Sequence, residues 1–308
     1  MTIALPSSLL DRAGLSGSGR VANSRPVRVR ATKYEQRDAT VLGDVRLRFV
    51  DVRDHHEQGP PVVLLHGIAS RLEEYEEIVD RLRIGRRVIV MDLPGNGYSD
   101  KPDRPYTLAF LEDAVLGLLD KLGVARADLA GGSLGGNLAL RLGHRAPDRF
   151  RRLVPWSPGG AWEPMRLLSA LGRLLIRFRA CASLFWPVAW IQSRFWYEPG
   201  WVGRRSALAE AFEHFREIHG PSFVRMYFEL VCEQVSTSLF PIAPAIPQPT
   251  LVLWGSEDHA LGMGDGVKRL VTLLPDARLR VIRGACHSLA SEVPQQVACE
   301  IDGFLTAR

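Results

Sequence analysis

An α/β architecture, with a mostly parallel sheet flanked by helices, is what three features of this sequence predict. Two short runs, Pro61-Val-Val-Leu-Leu65 and Arg87-Val-Ile-Val-Met91, are apolar on both faces, as strands in the middle of a parallel sheet must be. Between them Leu72, Tyr75, Ile78, Val79 and Leu82 recur at helical spacing, which completes a β-α-β unit spanning a helix over 73–82. The alternation of strand and helix then repeats along the chain, and that order of elements selects a sheet covered on both faces.

Taken in order, residues 1–26 are rich in Ser, Gly and Arg without a sustained apolar period, so a loosely held N-terminal arm is expected there. Alternating patterns predict strands around Val27–Thr40 and at Val45–Val52. Leu108–Leu122 reads as a helix stopped by Gly123, Ala127–Ala130 as a strand, Leu134–His144 as a helix and Leu153–Trp156 as a strand. After a long interruption the pattern resumes with a strand at Thr250–Trp254, a helix over Gly266–Leu273 and a strand at Leu279–Ile282. A last helix carries Val297, Ile301, Phe304 and Leu305 on one side. The expected organisation is therefore a core of residues 27–156 and 250–308, divided by a helical cap over 157–249. That cap segment has its own composition, with Trp162, Trp186, Trp190, Trp196 and Trp201 in helical surroundings. It leaves through Pro241–Pro249, a proline-rich return expected to be neither helix nor central strand.

The 308 residues, 46% of them hydrophobic, suffice for a large core without staples. Cys181, Cys232, Cys286 and Cys299 form no CxxC or CxxH pattern, which argues against a zinc ribbon or a dithiol redox pair and suits a reducing compartment. The apolar segment Ile3-Ala-Leu5 is too short for a secretion signal, so a cytoplasmic location is expected. No membrane span is expected either, because the longest apolar stretch, Ala180–Ile191, is interrupted by Pro187 and falls short of the roughly 20 residues required. The net charge of +5 comes from scattered arginines with no aromatic-rich basic motif, so no nucleic-acid partner is expected.

The strongest chemical signal is Gly131-Gly132-Ser133-Leu134-Gly135-Gly136, a G-x-S-x-G match with a strand before it and a helix after it. A nucleophile on so sharp a turn needs small residues two positions to either side, because strand and helix approach closely there. The pentapeptide alone also describes an ordinary glycine-rich turn. Its setting and the order of its partners give it weight. A serine hydroxyl needs a base, and of eight histidines His287 follows a strand, in Gly284-Ala-Cys-His287, at the edge where α/β sheets bind ligands. His55, His56, His144, His214 and His219 read as surface or structural residues. An imidazole that takes a proton needs a carboxylate beside it, and Asp258 follows the strand Thr250–Trp254, with Glu257 and Asp265 nearby as competing acids. Oxyanion donors are expected from the backbone N–H groups of Leu134, directly after the serine, and Ile68, in the loop His66-Gly67-Ile68. His66 is expected to brace that loop.

With His66-Gly67, Asp92-Leu-Pro-Gly-Asn-Gly-Tyr-Ser-Asp-Lys-Pro102, the serine turn, Leu253-Trp-Gly-Ser-Glu-Asp258 and Gly284-Ala-Cys-His287 in this order, the chain resembles the α/β-hydrolase superfamily over residues 27–305. It looks most like capped esterases and lipases of the monoacylglycerol-lipase and carboxylesterase kind. The resemblance implies an eight-stranded, mostly parallel sheet with a cap after the sixth strand, a Ser133-His287-Asp258 triad and no cofactor or metal. Haloalkane dehalogenases and epoxide hydrolases share the glycine-rich stretch but carry aspartate at the position of Ser133, which argues against both. Carbon-carbon bond hydrolases of aromatic degradation and cofactor-free haloperoxidase-like members use serine and stay open.

Within the cap, Leu167, Leu168, Leu171, Leu174, Leu175 and Phe178 fall at helical spacing, with Arg166, Arg173, Arg177 and Arg179 on other faces. Such a basic amphipathic helix is expected to pack on the core, and transient contact with an anionic lipid surface is its alternative reading. An apolar, aromatic roof over a serine site points to small hydrophobic esters as substrates, cleaved through an acyl-enzyme. Oligomeric state is not legible.

Overall fold

The computed structural model describes residues 31–57, 59–177, 181–259 and 263–307. The expected arm at 1–26 and the first part of the strand expected from Val27 lie outside the described residues, as do Phe178 and Arg179 of the basic helix and Ala180 of the apolar stretch.

Eight strands form one sheet in the order β1-β2-β4-β3-β5-β6-β7-β8. They are β1 (Gln36–Val41), β2 (Val45–Val52), β3 (Val62–Leu65), β4 (Val88–Met91), β5 (Ala127–Gly132), β6 (Phe150–Trp156), β7 (Thr250–Gly255) and β8 (Ala277–Ile282). β1 and β2 form an antiparallel pair, β2 pairs antiparallel with β4, and the remaining neighbours are parallel. Every residue of β3, β4, β5 and β7 is buried, which is why these runs lack the alternation of a half-exposed strand. β5 continues two residues past the apolar run. Glycines carry no hydrophobic signal, yet Gly131 pairs with Leu65 and Gly132 with Trp156 through the backbone.

The pleat divides the core in two. Val63 and Leu65 face one cluster with α2 (Leu108–Lys121) and α3 (Leu134–Arg145), while Val62 and Leu64 face the other with α1 (Glu76–Leu82) and α10 (Pro294–Thr306). Each such fully buried Val or Leu contributes about 1.5–3 kcal/mol relative to exposure. Between β6 and β7 the chain leaves the sheet for a helical insertion containing α4 (Arg166–Arg177), α5 (Cys181–Gln192), α6 (Arg204–Ile218) and α7 (Pro221–Ser236). α8 (Met263–Leu273) and the short α9 (Leu289–Glu292) follow β7 and β8.

Several local expectations need correction. The helix expected over 73–82 opens as a 3-10 turn, Leu72–Tyr75, because buried Asp92 Oδ1 accepts the Leu72 N–H at 2.8 Å and pins the entry. The proline-rich return contains a 3-10 turn at Ala243–Ala245, where Pro244 sits at the start and has no needed N–H to lose. Helix α5 also runs through Pro187. The larger correction concerns α4, which does pack on its neighbour, though not by its leucines. It docks on α7 through small residues: Ser169 Oγ donates to Cys232 O at 3.0 Å, and a Cβ at Gly172 would lie 2.4 Å from Cys232 Sγ. The leucines occupy a different face, so Leu167, Leu168, Leu171, Leu174 and Leu175 remain 37% to 77% exposed. Among the described residues no helix is long and apolar enough to cross a membrane.

Candidate active site

Ser133 stands between the end of β5 and the first residue of α3, with φ 53° and ψ −113°. A side chain in this region is strained, and the surroundings must over-determine it. They do so through the backbone: the Ser133 N–H donates to Trp156 O, and its carbonyl accepts from the N–H groups of Asn137 and Gly159, all at 3.0 Å. The flanking glycines are a packing requirement. A Cβ on Gly135 would lie 1.7 Å from Leu65 O, and one on Gly131 would lie 2.5 Å from the same atom. Tyr75 braces the turn from below, since its buried hydroxyl donates to Leu65 O at 3.1 Å and accepts from the Gly132 N–H at 3.2 Å.

His287 and Asp258 lie on the loops after β8 and β7, and parallel pairing of these strands brings the loops together. His287 Nδ1 lies 2.9 Å from Asp258 Oδ2, and the carboxylate is fully buried. With Nδ1–H donating to the carboxylate, Nε2 is the nitrogen left to take a proton. Burial opposes charge on this imidazole, but the Asp258 carboxylate and its hydrogen bond, with Glu74 and Glu292 further away, outweigh it and raise the His287 pKa above its ordinary value. The competing acids are elsewhere: Glu257 accepts from the Ser256 hydroxyl, and Asp265 is paired with exposed Lys268. Ser133 and His287 line one cavity of about 730 Å³. No hydrogen bond joins them among the described residues.

Ile68 lines the same cavity, and its loop abuts the serine, because a Cβ on Gly67 would lie 3.5 Å from Ser133 Cβ. Leu134 provides the first N–H of α3, where the helix dipole adds positive potential. His66 is buried and fully committed. Its Nδ1 lies 2.7 Å from Gly67 O, its Nε2 accepts the Leu93 N–H at 3.0 Å, and burial lowers its pKa, which fits a neutral brace.

Of the two readings offered for His214, surface or structural, burial excludes the surface one. The residue is 3% exposed, on α6, and lines the cavity with Ser133. Sequence reasoning also missed Arg48, which lies buried between two carboxylates, with Nε 2.7 Å from Asp92 and Nη1 and Nη2 2.8 and 2.9 Å from Glu73. In the alternating strand Val45–Val52 it reads like Arg46, as an outward-facing charge, so the sequence carries no signal of its burial. Among the described residues no group of three or more His, Cys, Asp or Glu is arranged to hold a metal ion, and the four cysteines are free.

The fold defines the class: the chain has the fold of the α/β-hydrolase superfamily. A family model described as the alpha/beta hydrolase fold matches residues 60–177. The dihydrolipoyllysine-residue acetyltransferase component of the acetoin cleaving system from Pseudomonas putida is 30% identical over 250 residues, 81% of this chain. The chain spans 64% of that relative's length. A 2-hydroxymuconate semialdehyde hydrolase from the same species is 28% identical over 274 residues, covering 81% of this chain and 89% of that protein. The crystal structure of the enol-lactonase from Burkholderia xenovorans LB400 superposes with a TM-score of 0.72 at 26% identity, over 88% of this chain and all of that one.

Proposed function

We propose that this chain is a serine hydrolase of small hydrophobic carboxylic esters. Ser133 attacks the ester carbonyl, His287 takes its proton and passes it to the leaving alcohol, and Asp258 orients and stabilises the imidazolium. The N–H groups of Ile68 and Leu134 receive the oxyanion, each worth roughly 3–4 kcal/mol of barrier. The observation that carries this reading is the buried His287–Asp258 contact of 2.9 Å opening on the cavity that the strained Ser133 also lines. Apolar and aromatic walls from the insertion, among them Trp162, Ile191, Phe195 and Trp196, support a hydrophobic acyl or aromatic group in the substrate. In this reading residues 157–249 act as a cap over a core of 27–156 and 250–308.

A second reading is hydrolysis of a carbon-carbon bond in a vinylogous diketone, favoured by the similarity to 2-hydroxymuconate semialdehyde and 2-hydroxy-6-oxo-6-phenylhexa-2,4-dienoate hydrolases. The same triad serves both. Side-by-side kcat/KM values for p-nitrophenyl esters, lactones and a vinylogous diketone, with Ser133→Ala as control, test the assignment: faster diketone turnover replaces the ester reading, and full activity of the control removes Ser133 from the mechanism. The reading includes transient contact of α4 with an anionic lipid surface, supported by its exposed leucines beside Arg166, Arg173 and Arg177.

A further inference from the structure

Two buried polar groups in the cavity wall, the His214 imidazole and the Nη1 amino group of Arg71, have no role in the proposed triad and no hydrogen-bond partner among the described residues. His214 is 3% exposed, yet neither ring nitrogen has a hydrogen-bond partner among the described residues. Arg71 is 6% exposed, and its Nη1 is likewise unpartnered, although Nη2 bonds Glu210 and Nε lies 3.7 Å from Glu73. Both residues line the cavity that holds Ser133. Glu210 and His214 are one turn apart on α6, so the carboxylate that clamps Arg71 brings its free nitrogen to the helix face that carries the imidazole. The ring is held further by an edge-on contact with Tyr98 at 5.7 Å between centroids. Folded proteins seldom leave buried donors and acceptors unmatched, and where they do the wall of a binding cavity is the natural place.

We propose that His214 and Arg71 Nη1 form a second, polar subsite that takes an uncharged oxygen, a ketone or ester carbonyl, carried by the substrate away from the bond that is cleaved. The chemistry of the pair selects this ligand. Arg71 Nη1 only donates, and a neutral imidazole donates from one nitrogen, so a carbonyl oxygen with two lone pairs matches both. Burial, with the cations of Arg71, Lys101 and Arg48 nearby, keeps the imidazole neutral and pushes its pKa down to about 3. The charge of Arg71 is already met by Glu210 and Glu73, which removes the electrostatic case for a carboxylate.

The subsite deepens the ester reading and rests on it, so its test is a binding measurement that does not need turnover. In the Ser133→Ala protein, calorimetry compares ethyl hexanoate with ethyl 5-oxohexanoate, the adjacent 4-oxopentanoate and 6-oxoheptanoate esters with their parents, and monoethyl adipate as the anionic arm. At least one oxo ester is expected to bind roughly tenfold or more tighter than its parent. That preference should vanish when His214→Phe is added and return in part with His214→Gln, which keeps a donor and an acceptor. His214→Phe should also raise Tm by a few degrees, since it removes a buried unmatched polar ring. Equal binding of every pair, or a preference that survives His214→Phe, overturns the subsite, and tighter binding of the adipate monoester overturns its uncharged ligand. Absence of ethyl hexanoate turnover by the unsubstituted protein counts separately, against the ester reading.

Discussion

Ser133 combines a strained backbone with two glycine neighbours that leave no room for a Cβ, and it lines one cavity with the imidazole of the buried His287–Asp258 pair. Ser133→Ala should lower kcat on a p-nitrophenyl ester by roughly 10⁴-fold or more and abolish fluorophosphonate labelling, with the circular dichroism spectrum unchanged. The pH dependence of the proposed mechanism follows from His287 as its general base. A general base works deprotonated, and its pKa is raised by Asp258, so the acidic limb of kcat/KM should fall above the ordinary imidazole value of about 6.5. Asp258→Asn removes the charge that raises it and should move that limb to lower pH while cutting kcat by roughly 10⁴-fold. A limb that stays put in a pH–rate profile of the variant would show that another group controls it.

Helix α4 is the element whose sequence and structure say most when set side by side. Its small face of Ser169 and Gly172 is used for docking on α7, and its leucine face is left to solvent with arginines along the flank. Paired changes Leu171→Ser and Leu174→Ser should leave stability within roughly 0.5 kcal/mol, as for other exposed sites. They should also reduce cosedimentation with phosphatidylglycerol-containing vesicles, a binding that should weaken as salt rises and be absent with pure phosphatidylcholine. Unchanged sedimentation of the double variant would dissociate this helix from lipid. The α4 leucine spacing was legible in the sequence, but its direction was not: periodicity identifies a face, and only the neighbour's shape decides which face packs.

Across the whole molecule the strands, the position of the helical insertion and the serine turn were legible, because apolar runs and glycine stops are local patterns. The interior charges were not. Arg48 ties β2 to the turn before α1 and to the loop after β4, through Glu73 and Asp92, across 25 and 44 residues of sequence. Arg48→Met would leave two buried carboxylates without their guanidinium, at a cost of about 3–5 kcal/mol. The expected outcome is a clear fall in the urea midpoint with an unchanged slope. A midpoint within error of the parent would mean the carboxylates find other partners.

From its sequence alone the chain determined an α/β fold, the placement of a helical insertion between β6 and β7, and a serine on a glycine-flanked turn, since each is written in contiguous residues whose spacing has a direct physical meaning. Tertiary structure decided the rest. It set Asp258 Oδ2 2.9 Å from His287 Nδ1, turned the leucines of α4 outward, and buried Arg71 and His214 in one cavity wall. The reason is distance along the chain: Arg71 and His214 come to line one cavity only when separate elements pack, and no local pattern encodes that meeting.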